Sequence, residues 1–269
     1  MQPPAPAPGQ PRSGSAGEAA PPLQVALIPA LTDNYVAVLH DGRRAAVVDP
    51  AEAEPVRRWL EGRGLELEAV LQTHHHRDHI GGTPELLRSW PAARVVAAAA
   101  DRERIPFQSE GVREGDRVEL LGEILEVLEV PAHTRAHIAF LRPAGAGGGS
   151  EPGDLYCGDT LFAGGCGRLF EGTPAQMHHA LQRFAALPGA TRVWCAHEYT
   201  ATNLRWAAHQ RPDDGAITRR LQAVEERRGQ GLATIPSTIA EERATNLFMR
   251  AADAAELAAL RESRNHWQG

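Results

Sequence analysis

Residues 69–82, AVLQTHHHRDHIGG, restrict this chain more than any other stretch. Ala69, Val70 and Leu71 read as the end of a buried strand. Four histidines and Asp78 follow within six residues, and the chain then runs into Gly81-Gly82. His74 and His76 are two apart, which suits an extended or looped backbone with both rings on one side. The helical zinc motif instead spaces its histidines at i and i+4. Asp78 and His79 come in the next turn and can face a second ion. A lone histidine is most often structural or merely exposed, but a cluster this dense at a strand mouth predicts metal ligation. Rigid strands can hold such converging loops in place.

More candidate ligands lie downstream, each just after a predicted strand: His133 in VPAHT, Asp159 in CGDTLF and His197 in CAHEYT. Nitrogen and carboxylate donors without thiolate suit Zn, Fe or Mn. A structural zinc site would more often be closed with cysteines.

The runs LQVALIPA, YVAVLH and AAVVDP, from residue 23 on, predict short strands, as do LEAVLQT, RVVAAA, DRVELLG, EILEVLEV, HIAFLRP, DLYCGD and TRVWCAH. AEPVRRWLEGRG, TPELLRSW and PAQMHHALQRFAALPG predict helices, the last opening at a proline and closing at a glycine. After residue 198 only helical periods remain. The expected organisation is a mixed α/β domain over 23–197 and a helical domain over 198–269. Residues 1–22, rich in Pro, Ala and Gly, cannot build a core and predict a disordered tail. PAGAGGGSEPG, residues 143–153, predicts a flexible surface loop.

A net charge of −6 argues against a general nucleic-acid binder. All 28 basic residues are arginine, which reads as composition bias. Three cysteines, an odd number in a chain too long for a disulfide scaffold, point to the reducing cytoplasm. No apolar run reaches the ~18 residues of a membrane helix, and the N-terminus lacks the apolar core of a secretory signal.

The H-x-H-x-D-H motif with its three downstream ligands resembles the metallo-β-lactamase superfamily. Finer motifs resemble glyoxalase II, the hydroxyacylglutathione hydrolases. These are LTDNY (31–35), THHHRDHIGG (73–82), PAHT (131–134), GDTLF (158–162), GCGRLFEGT (165–173), CAHEYT (195–200) and NLFMR (246–250). The resemblance spans 23–269 and implies an α/β fold, an αββα sandwich followed by a small all-helical domain. It implies two divalent ions per chain, zinc foremost, with iron or manganese as alternatives. His74, His76 and His133 would hold one ion; Asp78, His79 and His197 the other; Asp159 would bridge both. A hydroxide between the ions would attack the thioester of S-D-lactoylglutathione, releasing glutathione and D-lactate in the second step of methylglyoxal detoxification. Asp78 and Asp159 are the implied catalytic carboxylates. Arg168, Tyr199 and His197 are implied to meet the substrate, and so is Phe170, which stands where tyrosine is usual. The implied protein is a cytoplasmic monomer with a small-molecule partner and neither nucleic acid nor membrane.

Arg261 and Arg264 have a second line of support. Leu257, Leu260 and Trp267 form an apolar helix face, Arg264 falls inside it and Arg261 borders it. An arginine on such a face needs a partner, either an interdomain carboxylate or an anionic ligand. Of the remaining histidines, His75 is expected to point away from the metals. His137 either orients a ligand or simply packs, and His178 and His179 are expected to be structural. Cys157, Cys166 and Cys195 read as buried and inert. Asp49 is a candidate to brace a ligand. Ala132, Ala136 and Ala196 stand where the family usually has glycine, so each adds a methyl to a tight loop. Three rivals share parts of this pattern: a mononuclear iron persulfide dioxygenase of the same fold, a nuclease of the superfamily, and a metal-binding scaffold without turnover.

Overall fold

A computed structural model describes residues 23–145 and 151–268. The tail expected over 1–22 and the middle of the loop expected over 143–153 lie outside the described residues. The first half of the chain builds one six-stranded sheet. Its strands are β1 (Gln24–Ala30), β2 (Asn34–His40), β3 (Arg44–Val48), β4 (Glu66–Leu71), β5 (Arg94–Ala98) and β6 (Glu110–Val112), in that spatial order. α1 (Ala53–Glu61) connects β3 to β4, and α2 (Arg77–Ile80) and α3 (Thr83–Ser89) connect β4 to β5. The second sheet contains β7 (Arg117–Leu120), β8 (Glu123–Glu129), β9 (Ile138–Arg142) and β10 (Asp154–Gly158). A small ribbon of β11 (Leu161–Phe162) and β12 (Gly165–Cys166) follows, then α4 (Pro174–Ala185) and β13 (Arg192–Cys195). α5 (Thr200–Gln210), α6 (Gly215–Gly229), β14 (Ser237–Thr238), α7 (Ile239–Thr245) and α8 (Ala254–His266) complete the chain.

Period-two alternation explains the four layers. In β2, Ala37 and Leu39 face the second sheet, whereas Val36 and Val38 face α1 and α3, which supply Val56, Leu60 and Leu86. In β10, Tyr156 faces the first sheet while Leu155 and Cys157 face Met177, Leu181 and Phe184 of α4. Each fully buried aliphatic or aromatic side chain contributes roughly 1.5–3 kcal/mol. Two faces on each of two sheets therefore hold the αββα sandwich. The helical segment shares the outer cluster through Leu204, Trp206, Phe248 and Leu257.

The C-terminal segment differs from expectation in one respect: it is not strand-free. Ser237 and Thr238 pair antiparallel with Val193 and Arg192 and cover the edge of β13. Two polar residues carry no periodic signal, and the pairing is long-range. The segment is also tied to the ribbon turn. Glu242 is fully buried and accepts from Gly164 N at 2.8 Å and from Arg220 Nη2 at 2.6 Å. Asn246 Nδ2 donates to Gly165 O at 2.9 Å.

Topology sets where a site can form. β9 runs antiparallel to β8 and β10, and β13 runs parallel to β10. β8, β10 and β13 therefore point the same way, and the loops after them open on one edge of the sandwich. His133, Asp159 and His197 lie in those three loops, and the histidine cluster follows β4 of the facing sheet.

Candidate metal centre

The side chains at this edge form two groups. In the first, His76 Nδ1 lies 3.0 Å from His74 Nε2 and 3.0 Å from His133 Nε2. In the second, His197 Nε2 lies 3.4 Å from Asp78 Oδ2, and His79 Nε2 lies 3.7 Å from the same oxygen. Asp159 stands between them. Its Oδ2 is 3.3 Å from His133 Nε2, and its Oδ1 is 3.3 Å from His79 Nε2 and 3.4 Å from His197 Nε2. All seven predicted ligands thus converge.

Outer partners aim the rings. His79 Nδ1 faces Asp49 Oδ2 at 3.0 Å, His197 Nδ1 faces Asp33 Oδ1 at 2.8 Å, and His133 Nδ1 faces Arg168 O at 2.9 Å. His74 Nδ1 lies 3.0 Å from Thr73 Oγ1, which donates to Asp49 Oδ2 at 2.6 Å. In these four rings the Nδ1–H is occupied outward, which leaves Nε2 and its lone pair facing the centre. Asp49, with φ of 50°, reaches both groups. Asp33 and Asn34 belong to LTDNY, and Asn34 Nδ2 donates to Asp78 O at 3.1 Å. Asp33, Asn34 and Thr73 went unassigned at the sequence level, although the quoted motifs contain all three.

Gly81-Gly82 has a steric reason. A Cβ on Gly81 would sit 2.8 Å from Ala51 O, and one on Gly82 would sit 2.5 Å from Glu52 C. The bare glycines let α2 press against the 50–53 turn, which points Asp78 and His79 inward.

Charge differs between the groups. Burial, then the imidazoles of His79 and His137, holds the His74 pKa well below the usual histidine range. Burial also lowers His76 and His133. Burial opposes protonation of His79, but the carboxylates of Asp159 and Asp49 outweigh it and hold its pKa well above the usual range. Burial would raise Asp159, yet His79 and His197 bring it well below the usual carboxylate range. His79 Nε2 and Asp159 Oδ1 are buried without a hydrogen-bond partner. Converging lone pairs, a central carboxylate and orphaned buried atoms fit a divalent cation.

His137 stacks on His74 at 4.6 Å and accepts from Asp159 N at 3.2 Å, so it positions the central carboxylate rather than only filling space. His75 points away, 3.3 Å from Arg104 Nη1 and 3.5 Å from Asp101 Oδ2. His178 Nε2 meets Ala251 O at 3.0 Å, a tie from α4 to the loop between α7 and α8. The three cysteines are free and buried. Burial raises the Cys157 thiol well above its usual range and pushes Cys195 to about 12. The methyls of Ala132, Ala136 and Ala196 are buried in place. At Ala132 the opposing residue is the glycine: a Cβ on Gly172 would sit 2.4 Å from Ala132 Cα.

Phe170 is 61% exposed, with its ring 5.6 Å from that of His76 and 5.2 Å from that of His133. It also lines a cavity of about 390 Å³ with Arg168, Arg261, Glu262 and Asn265. Arg261 is buried and donates to Cys166 O at 2.8 Å and Asn265 Oδ1 at 3.1 Å. Arg264 donates to Asn203 Oδ1 at 3.3 Å, and burial, then Arg261 and Arg168, lowers its pKa. Among the described residues neither Arg261 nor Arg264 has a carboxylate within ion-pair distance, so the interdomain salt bridge does not occur. Tyr199 stacks on His197 at 4.8 Å, between the metal centre and the helical segment.

Comparison with known proteins agrees in both halves. Residues 30–197 match the family model of the metallo-beta-lactamase superfamily, and 198–267 match that of the hydroxyacylglutathione hydrolase C-terminus. A hydroxyacylglutathione hydrolase of Parasynechococcus marenigrum (strain WH8102) is 58% identical over 245 residues, 90% of this chain and 96% of that one. Among solved structures, ETHE1 from Myxococcus xanthus aligns with a TM-score of 0.64 at 24% identity, covering 91% of this chain and 92% of that one, a likeness of fold. TTHA1623 in a di-iron-bound form aligns with a TM-score of 0.51 at 27% identity, covering 63% of this chain and 90% of that one.

Proposed function

The chain belongs to the hydroxyacylglutathione hydrolases of the metallo-beta-lactamase superfamily, and from that premise we propose that it cleaves S-2-hydroxyacylglutathione, chiefly S-D-lactoylglutathione, to glutathione and D-lactate, the second step of methylglyoxal detoxification. One observation carries the reading: two ligand groups joined by Asp159 sit beside a cavity lined by Arg168 and Arg261, neither of them ion-paired among the described residues.

His74, His76 and His133 would hold one divalent ion and Asp78, His79 and His197 the other, with Asp159 placed between the two groups to serve both. Seven nitrogen and oxygen ligands are too many for one tetrahedral site. A nitrogen and carboxylate set without thiolate suits zinc, iron or manganese; zinc is the first choice, and the di-iron form of TTHA1623 keeps iron in the set. When bound, such a pair supplies a water ionised near neutral pH and a Lewis acid for the thioester carbonyl. The chain's own groups do the rest. The outward Nδ1 bonds lock the rings, so the ligand set needs little rearrangement. Asp78, more exposed than Asp159, is the ligand carboxylate that faces the open side of the centre. Arg168, Arg261 and Arg264 bind the carboxylates of glutathione, and Tyr199 and Phe170 flank its thiol end. The departing thiolate, whose parent thiol has a pKa near ~8.5, needs little help to leave.

In this reading residues 23–197 form the catalytic domain and 198–269 the substrate-binding domain. The protein works as a monomer, since one chain supplies both the metal centre and the cavity. It resides in the reducing cytoplasm, which the free buried cysteines support. Among the described residues no helix is long and apolar enough to cross a membrane.

The test is loss of thioester absorbance with S-D-lactoylglutathione, together with metal analysis. About two ions per chain are expected, with activity abolished by chelation and restored by metal. Oxygen uptake with glutathione persulfide, without thioester hydrolysis, would instead assign the persulfide dioxygenase reaction.

A further inference from the structure

The arginine-lined cavity meets the metal centre on one side, through Phe170 beside His76 and His133. A second and larger cavity, about 590 Å³, meets it on the other side, through Asp78 of the opposite ligand group. Leu31, Ala51, Ala53, Arg77 and Gly81 line it. Leu31 is unusual twice over. It is 53% exposed, and it sits at φ of 49°, where a bulky side chain is disfavoured. Its backbone N–H is fastened to Glu52 Oε2 at 2.7 Å. The β1–β2 turn therefore holds a leucine out over the groove.

We propose that this groove is the acyl subsite and that Leu31 sets the acyl preference. The inference rests on the hydrolase reading. A thioester whose glutathione lies in the arginine cavity, and whose carbonyl lies between the two ligand groups, must send its acyl chain toward Asp78. The space far exceeds what a three-carbon acyl group fills. Leu31 supplies the apolar contact, since Ala51 and Ala53 are nearly buried, and the carboxylates of Asp78, Glu52, Glu54 and Glu85 outnumber the cation Arg77 in the lining, which disfavours anionic tails. The preferred class is an uncharged 2-hydroxyacyl group with an alkyl or aryl substituent.

Replacing Leu31 is structurally mild. Leu31→Gly removes the side chain where glycine is favoured, and Leu31→Asn keeps a residue that tolerates this backbone. The experiment compares kcat/KM of the metal-loaded wild type and both variants on S-mandeloyl-, S-D-lactoyl- and S-succinylglutathione. Wild type is expected to favour mandeloyl at least as much as lactoyl, with succinyl slowest. In both variants the mandeloyl-to-lactoyl ratio should fall tenfold or more, through KM, with lactoyl hydrolysis reduced at most threefold. A ratio that falls less than threefold in both variants overturns the subsite. Wild type without any lactoylglutathione hydrolysis overturns the hydrolase reading itself, a different outcome from active enzyme with a flat ratio.

Discussion

The two halves of the metal centre use similar residues but are braced differently. His74 and His133 lean on uncharged oxygens, Thr73 Oγ1 at 3.0 Å and Arg168 O at 2.9 Å. His79 and His197 lean on carboxylates, Asp49 Oδ2 at 3.0 Å and Asp33 Oδ1 at 2.8 Å. The titration behaviour divides along the same line: the first three rings are lowered and His79 and His197 are raised. A carboxylate behind an imidazole makes it a more basic ligand. The first half therefore depends on the convergence of three neutral rings, and the second on negative charge, from Asp159 first and then from Asp49 and Asp33 behind the rings.

Removing the residue the halves share should have the largest effect. Asp159→Ala is expected to lower kcat/KM by more than ~100-fold, beyond what outer partners cost, and to reduce bound metal to one ion or fewer. Metal analysis and thioester turnover on one sample check it; two tightly held ions at full rate would remove Asp159 from the bridge. Asp33→Ala should separate the halves, since among the described residues its carboxylate meets only His197. Affinity for one ion should fall roughly 10–100-fold while the other stays, and a chelator titration with two resolved steps would show this. Equal weakening of both ions would mean that the bracing difference has no energetic content.

The cavity side should respond without disturbing either half. Hydrogen bonds to charged groups contribute about 1.5–3 kcal/mol, and ~1.4 kcal/mol is a decade. The double change Arg261→Ala, Arg264→Ala should raise KM about tenfold or more, with metal content intact and kcat little changed. A lowered melting temperature with unchanged KM would make the pair structural. Phe170→Tyr should have the smallest effect. A new hydroxyl is worth ~0.5–1.5 kcal/mol net, and exposure favours the lower end, so KM should fall about two- to fourfold. An unchanged or raised KM would mean that this ring does not face the thiol carrier.

Much of this centre was legible because its ligands sit in strand-end loops whose composition is abnormal. His74, His76, Asp78 and His79 announce themselves by density, and each strand ahead of a ligand has a clean apolar run. The bracing residues were harder. Asp33 lies in a short turn, where aspartate is ordinary, and its partner His197 is 164 residues away. Thr73 looks like the last residue of a strand until its hydroxyl is seen between His74 and Asp49. The two arginines were visible on the helix wheel, but their neutral partners, Cys166 O and Asn203 Oδ1, come from other elements and leave no periodic trace. α2 is a single turn and β14 two residues, below the length at which pattern means anything.

The return of Ser237–Thr238 to the β13 edge, with Glu242 and Asn246 bonded into the ribbon turn, bears on how such a chain can be cut or recombined. A fragment ending at residue 197 would expose a sheet edge, orphan Gly164 N and Gly165 O, and loosen the turn that carries Asp159 at its start. A fragment beginning at 198 would carry Glu242 without the Gly164 N–H that it accepts from. The two segments match separate family models, but the bonds between them tie one to the other. Calorimetry of the whole chain should accordingly show one melting transition, with no state in which the metal half survives the loss of its helices.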